Sequence, residues 1–160
     1  MGWLYCENSR SDLIKSRTKG ESSPDGSKEW RCLAHSARGN VLWTVWEIAD
    51  ISSNVSRRFI GCDLLARSGG TWGYKDMSEE MHPYYYSCPL SYLDMVPVAC
   101  EAWRDGVRKY HEKRSRKFAV GEVVKLVAGC SPPEVTVTSV KPLRGSFGGI
   151  NYKVSPRHIA

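Results

Sequence analysis

The sequence predicts an α+β fold: a mainly antiparallel sheet with two to three helices over residues 1–117, followed by a small SH3-like, β-barrel-like module over residues 118–160. Three observations lead there. β-rich runs are joined at Gly39-Asn40 and Gly69-Gly70, and such glycine pairs supply the positive φ angles of two-residue antiparallel hairpin turns. Residues 98–116 repeat apolar side chains at intervals of three and four, the period of an amphipathic helix. The C-terminal runs VGEVVKLV, EVTVTSV and INYKV alternate apolar and polar residues, and they are separated by the connectors AGCSPP and KPLRGSFGG, as in small curled sheets.

In chain order, MGWLYC is short and apolar enough for a first strand. SRSDLIKSRTKG has a serine start, Leu13 and Ile14 inside, and a glycine stop, which marks a short helix. ESSPDGSKE is a polar loop. In the run after Gly39-Asn40, Trp43 and Val45 face one way, and Leu42, Trp46 and Ile48 the other. That pattern describes a central strand covered on both sides. RRFIGCDLLARSGGTWGYKDM forms the second hairpin. SEEMHPYYYSCP is irregular, and residues 89–96 form about two helical turns. Pro97 then opens the main helix, tolerated there because its missing N–H would have no partner. Ala99, Ala102, Trp103, Val107 and Tyr110 make its apolar stripe, and Gly106 beside the stripe suits a close contact.

A chain of 160 residues with 41% apolar content can bury its own core without a metal or disulfides. No secretory leader and no run of membrane-span length is present, so the expectation is a cytoplasmic protein with no membrane partner. The six cysteines are scattered without a CxxC pair and read as reduced thiols. The net charge of +6 is localised: residues 1–103 sum to −2, residues 104–117 to +5 and residues 118–160 to +3. Where the charge lies says more about partners than its total does.

Several patterns fail as catalytic or metal sites. Cys32 and His35 have a common ligand spacing, but on a strand they point to opposite faces, and no pair of pairs has zinc-finger spacing. No metal and no cofactor is therefore expected. Cys88 with His82 is the best candidate for a nucleophile and its base, yet no surrounding motif supports it. Glu79-Glu80 reads as a solvated acidic patch. RSGGTWGYK and RGSFGG lack the spacing of phosphate-binding loops and read as hairpin turns.

The strongest functional feature is the basic helix end. Arg104, Arg108, Lys109, Lys113, Arg114, Arg116 and Lys117 could neutralise several phosphates, and Lys141 and Arg144 extend the charge into the tail. Phe147 and Tyr152 could stack on bases. The competing reading is a solvated helix terminus, because cations also suit a helix C-terminus. A second candidate surface gathers Trp72, Tyr74, His82, Tyr84, Tyr85 and Tyr86, since tyrosine and tryptophan dominate interface hot spots.

MGWLY, RGNVLWTV, SGGTWGYKDMSEEMHPYYYSCPLSYLDM and VKPLRGSFGG resemble a domain family of bacterial chromosomes, plasmids and phages that carries no assigned activity. The resemblance covers most of residues 1–117 and implies a mobile-element setting, with no catalytic residue to transfer. The expected function is non-enzymatic binding of nucleic acid or a nucleoprotein complex through the basic helix and the C-terminal β module. One alternative is a mobile-element-encoded inhibitor or accessory protein that binds a host defence complex, for example a CRISPR-type one, or a replication complex, through the aromatic loop. A small Cys/His enzyme is a further alternative.

Overall fold

A computed structural model describes residues 2–160, with Arg157 described only by its backbone. The expected α+β class is what it shows. The chain divides into two compact units, one reaching up to Arg108 and one spanning Lys109–Ala160. Among the described residues no helix is long and apolar enough to cross a membrane.

The N-terminal unit is built on one six-stranded antiparallel sheet. Its strands are β1 (Leu4–Glu7), β2 (Glu21–Ser22), β3 (Lys28–Arg38), β4 (Val41–Asp50), β5 (Val55–Ser68) and β6 (Thr71–Ser78). The spatial order is β1-β6-β5-β4-β3-β2, so β4 and β5 are central, as the two-sided apolar pattern of β4 requires. The turns are those the glycines dictate. Arg38 pairs with Val41 across Gly39-Asn40, where only Gly39 has a positive φ, 57°. Ser68 pairs with Thr71 across Gly69-Gly70, where both do. The two loops thus match the two mirror-image turn types that follow strand twist.

Each face of the sheet is covered by different helices. Helix α1 (Arg10–Thr18) starts at Ser9, whose hydroxyl accepts from the Asp12 N–H at 3.1 Å, and it buries Leu13 completely. Leu13 packs with Leu42 and Leu65, flanked by Ile14, Trp72 and Tyr74. The opposite face carries the main core. There Trp43, Val45, Ile60 and Cys62 meet Tyr92 and Leu93 of α2 (Leu90–Leu93), and Trp103 and Val107 of α3 (Glu101–Ser115). Gly106 permits a close approach: a Cβ there would lie 2.5 Å from Cε1 of Tyr86.

The buried stripe of α3 differs from the expected one. Ala99 and Ala102 are exposed, while Cys100, Trp103, Arg104 and Val107 are buried. The helix starts at Glu101 rather than near Val98, so Ala99 lies ahead of it; within the helix Trp103 and Val107 keep their places on the stripe, and Arg104 rather than Ala102 is buried beside them. The polar loop at 21–29 is also more ordered than its composition suggests. Glu21 and Ser22 pair with β3, and Asp25 accepts from the Ser27 N–H at 3.0 Å and from two serine hydroxyls.

In the C-terminal unit, β7 (Val123–Lys125), β8 (Glu134–Val140), β9 (Leu143–Phe147) and β10 (Ile150–Lys153) form a four-stranded antiparallel sheet in the order β10-β9-β8-β7. Val124, Val135, Val137, Val154 and Ile159 are its core. The segment KPLRGSFGG, expected to be a connector, contains strand β9. Its alternation is masked because the core-facing position is Gly145, where a Cβ would lie 2.6 Å from Cγ2 of Val135. Gly148-Gly149 then makes another two-residue hairpin turn, with both φ angles positive.

Candidate functional site

Division into two units sharpens the charge map. Residues 1–108 sum to −1 and residues 109–160 to +7, so the whole surplus lies in the C-terminal unit. Within that unit the sheet register collects it. Arg144 on β9 stands directly opposite Lys153 on β10, and one step along the same face Thr136, Ser146 and Asn151 form a row across β8, β9 and β10. Cross-strand partners, and positions two apart on one strand, share a face. Arg144, Lys153, Thr136 and Asn151 are exposed, and Ser146 is partly so. Neither row contains a carboxylate. Glu134, two positions from Thr136 on β8, shares this face but stands opposite Lys125 on β7. Like charges placed directly opposite each other destabilise a sheet, so the Arg144–Lys153 pair is not what a purely structural surface would favour.

The helix end supplies further cations, fewer than the sequence suggests. Lys109, Lys113 and Lys117 are exposed. Arg114 donates to the hydroxyl of Tyr110 at 3.2 Å and lies 5.5 Å from that ring's centre, a neutral partner that leaves its charge available. Arg116 is bound to Glu122 at 2.8 Å and lies 5.2 Å from the Phe118 ring centre. Arg108 is bridged at 2.7 Å to both Glu101 and Asp105, which compensates its charge.

Arg104 must be withdrawn from the basic cluster altogether. It is 3% exposed and makes a two-pronged ion pair with Glu79, Nε to Oε1 at 2.6 Å and Nη2 to Oε2 at 2.9 Å. Its remaining donors reach the carbonyls of Leu93, at 2.8 Å, and Pro97, at 2.8 Å. Glu79 is correspondingly no solvated acid. At 1% exposure it also accepts from the backbone N–H groups of Cys100, at 3.0 Å, and Ala99, at 3.3 Å, just ahead of α3.

Of the expected stacking rings, Phe147 is 46% exposed beside the Gly148-Gly149 turn. Tyr152 is half-buried and packs on the core of the C-terminal sheet, so it is not a free stacking platform.

The aromatic surface expected around the tyrosine run is split between the two faces of the N-terminal sheet. Trp72 and Tyr74 pack beside α1, where Tyr74 also carries the Arg17 guanidinium 3.9 Å from its ring centre. Tyr86 lies on the other side, against Gly106 of α3. Between them in sequence, His82 is exposed with a left-handed backbone (φ 49°), and Tyr84 is 91% exposed, Tyr85 40% and Tyr86 39%. Of the expected aromatic surface, His82, Tyr84, Tyr85 and Tyr86 are exposed, with Pro83 buried between the first two.

Cys88 does not suit nucleophilic work. It is fully buried in the main core, and burial, with a smaller contribution from the Glu79 charge, pushes its thiol up to about 12. A nucleophilic cysteine needs the reverse, an exposed thiolate-stabilising setting. Alkylation of the native protein by iodoacetamide at pH 8 should therefore modify exposed Cys6 long before Cys88. Cys88 reacting as fast as Cys6 without unfolding would contradict this. Among the described residues no three His, Cys, Asp or Glu side chains converge to hold a metal ion.

No protein-family profile, no curated protein and no solved structure matches this chain. Its functional reading therefore rests on the geometry above. The sheet-face pair of Arg144 with Lys153 was only half visible in the sequence: both cations can be read there, but their pairing depends on the two-residue Gly148-Gly149 turn that fixes the register.

Proposed function

We propose that the protein is a non-enzymatic nucleic-acid-binding protein, and that the C-terminal unit makes the contact. The observation that carries this reading is the Arg144–Lys153 cross-strand pair beside the Thr136–Ser146–Asn151 row, in the unit that holds the entire positive surplus. Two adjacent cations with hydroxyl and amide groups next to them match the contacts that phosphate oxygens and sugars accept. Lys109, Lys113, Arg114 and Lys117 add screening charge in the same unit, and Phe147 offers one exposed ring for a base.

Binding of a labelled oligonucleotide should weaken steeply with salt. Each neutralised phosphate contributes about −0.7 to the logarithmic slope for single strands and about −0.9 for duplex. The Arg144→Gln/Lys153→Gln double variant should bind at least roughly 10-fold more weakly and lower that slope by about 2. Its melting temperature should hold or rise, because it removes a like-charge pair. Titrations of single-stranded DNA, duplex DNA and RNA by fluorescence anisotropy measure this. Salt-independent binding, or a double variant that binds as wild type, would overturn the proposal.

A further inference from the structure

The N-terminal unit contains a half-open cavity of about 410 Å³ on the α1 face of its sheet, and neither the core nor the basic surface accounts for it. Its floor is set by register. Thr44 on β4, Gly61 on β5 and Ser78 on β6 stand in one row. The row on one side is Trp46 and Phe59, and the row on the other ends in Asp63 and Asp76, directly opposite each other on β5 and β6. All seven residues line the cavity. Trp30 contributes a third ring, and Arg17 closes one side from the end of α1.

Three features show a built site rather than a packing defect. Thr44 is 1% exposed, and its hydroxyl has no hydrogen-bond partner among the described residues, yet no side-chain polar atom is sealed away unsatisfied. Its oxygen therefore opens onto the cavity. Gly61 keeps that opening clear. A Cβ there would collide with the Thr44 hydroxyl oxygen and lie 3.5 Å from Cδ1 of Trp46, so any side chain would fill the floor. The third feature is electrostatic. Asp63, 4% exposed, is fully engaged by Arg17, Nε to Oδ2 at 2.8 Å and Nη2 to Oδ1 at 3.2 Å. Asp76 has no ion-pair partner among the described residues, although its charge reaches Arg17.

The ionisable lining groups are Arg17 and Lys19 against Glu21, Asp63 and Asp76, which leaves one negative charge over. A neutral ligand such as a sugar can donate hydroxyls to Asp76 but leaves its charge unpaired as water is displaced, which is costly. An organic cation would neutralise it, and aromatic rings attract cations through their quadrupoles. The volume is that of a small-molecule site.

We infer that this cavity binds a small organic monocation of the amidinium or guanidinium type, its charge against Asp76, its apolar body among Trp30, Trp46 and Phe59, and a donor to the Thr44 hydroxyl. This site lies in a different unit from the nucleic-acid surface, so either reading can fail without the other.

The test uses benzamidine as the probe and benzamide, its uncharged counterpart of the same shape, as the control. Both are titrated into the full chain by tryptophan fluorescence and by amide NMR shifts. Benzamidine should bind at millimolar concentration or below, at least roughly 10-fold tighter than benzamide, a preference worth about 1.4 kcal/mol. Asp76→Asn should abolish that preference while leaving the fold intact by circular dichroism. Gly61→Val should remove binding of both compounds. Absence of benzamidine binding, equal binding of the two compounds, or an Asp76→Asn variant that retains the preference would each overturn the inference. Because Asp76 is only partly buried on β6, its variant remains decisive should Gly61→Val not fold.

Discussion

Replacing Arg104 with alanine is expected to destabilise the N-terminal unit by about 3–5 kcal/mol, because it strands a buried carboxylate. The guanidinium holds Glu79, at the end of β6, to the carbonyls of Leu93 and Pro97 and thereby to the start of α3. Without it, Glu79 keeps only the N–H groups of Cys100 and Ala99, and three segments lose their common anchor. A fall in melting temperature on the order of 10 °C follows for a domain of this size. Replacing both partners, as Arg104→Met with Glu79→Gln, should cost less than Arg104→Ala alone, since no buried charge is then orphaned. A single variant that loses less than about 1 kcal/mol would show that the pair lies in a wetter setting than its burial indicates.

The same pair predicts a pH dependence. Burial pushes the Glu79 carboxyl up, but the Arg104 guanidinium and the two backbone N–H groups outweigh it and hold the group below its ordinary value. A carboxylate depressed in the folded state contributes stability that is fully present above its unfolded pKa of about 4.3. That contribution is lost as pH falls through the lower folded value. The gap between wild type and Arg104→Ala should therefore be widest near neutrality and close below about pH 4. Urea denaturation at a series of pH values reads it directly.

What the sequence made legible was local. Gly39-Asn40 and Gly69-Gly70 mark their hairpins because only residues tolerant of positive φ fit those turns. Ser9 marks the start of α1 because its side chain can cap the first turn. Arg104 was misplaced because a charge run reads as solvated, and its partner lies 25 residues away. A signal was available. Arg104 stands four residues after Cys100 and three before Val107, which puts it on the apolar stripe rather than beside it. The cavity was out of reach for a different reason. Thr44, Gly61 and Ser78 become neighbours only once the registers of β4, β5 and β6 are fixed, and no spacing within one segment encodes that. Asp63 and Asp76 are likewise thirteen positions apart on either side of the Gly69-Gly70 turn. The C-terminal sheet was legible as strands but not as a face, since Gly145 interrupts the pattern of β9.

The second large effect is expected at Trp43. Its side chain is fully buried near the start of β4, its ring centre lies 5.8 Å from that of Trp103, and its indole N–H donates to the Ser87 hydroxyl at 3.1 Å. Trp43→Ala should cost about 3–5 kcal/mol, from lost burial and the cavity left behind. The loss should not stay in the core. Trp103 donates to the carbonyl of Tyr85 at 3.0 Å, so the two packed indoles hold the tyrosine loop at Tyr85 and Ser87, and Gly106 gives Tyr86 its seat on α3. Removing Trp43 takes away the first hydrogen bond and loosens the ring that makes the second. Chymotrypsin should then cut the native variant after Tyr84, Tyr85 or Tyr86 under conditions in which the wild type resists, because local opening becomes cheaper than global unfolding. Trp43→Phe keeps an aromatic ring in the core but loses the N–H and one of the two fused rings, so it should cost less than Trp43→Ala while still exposing the loop. If Trp43→Phe leaves cleavage unchanged, packing against α3 rather than the indole hydrogen bond holds the loop in place.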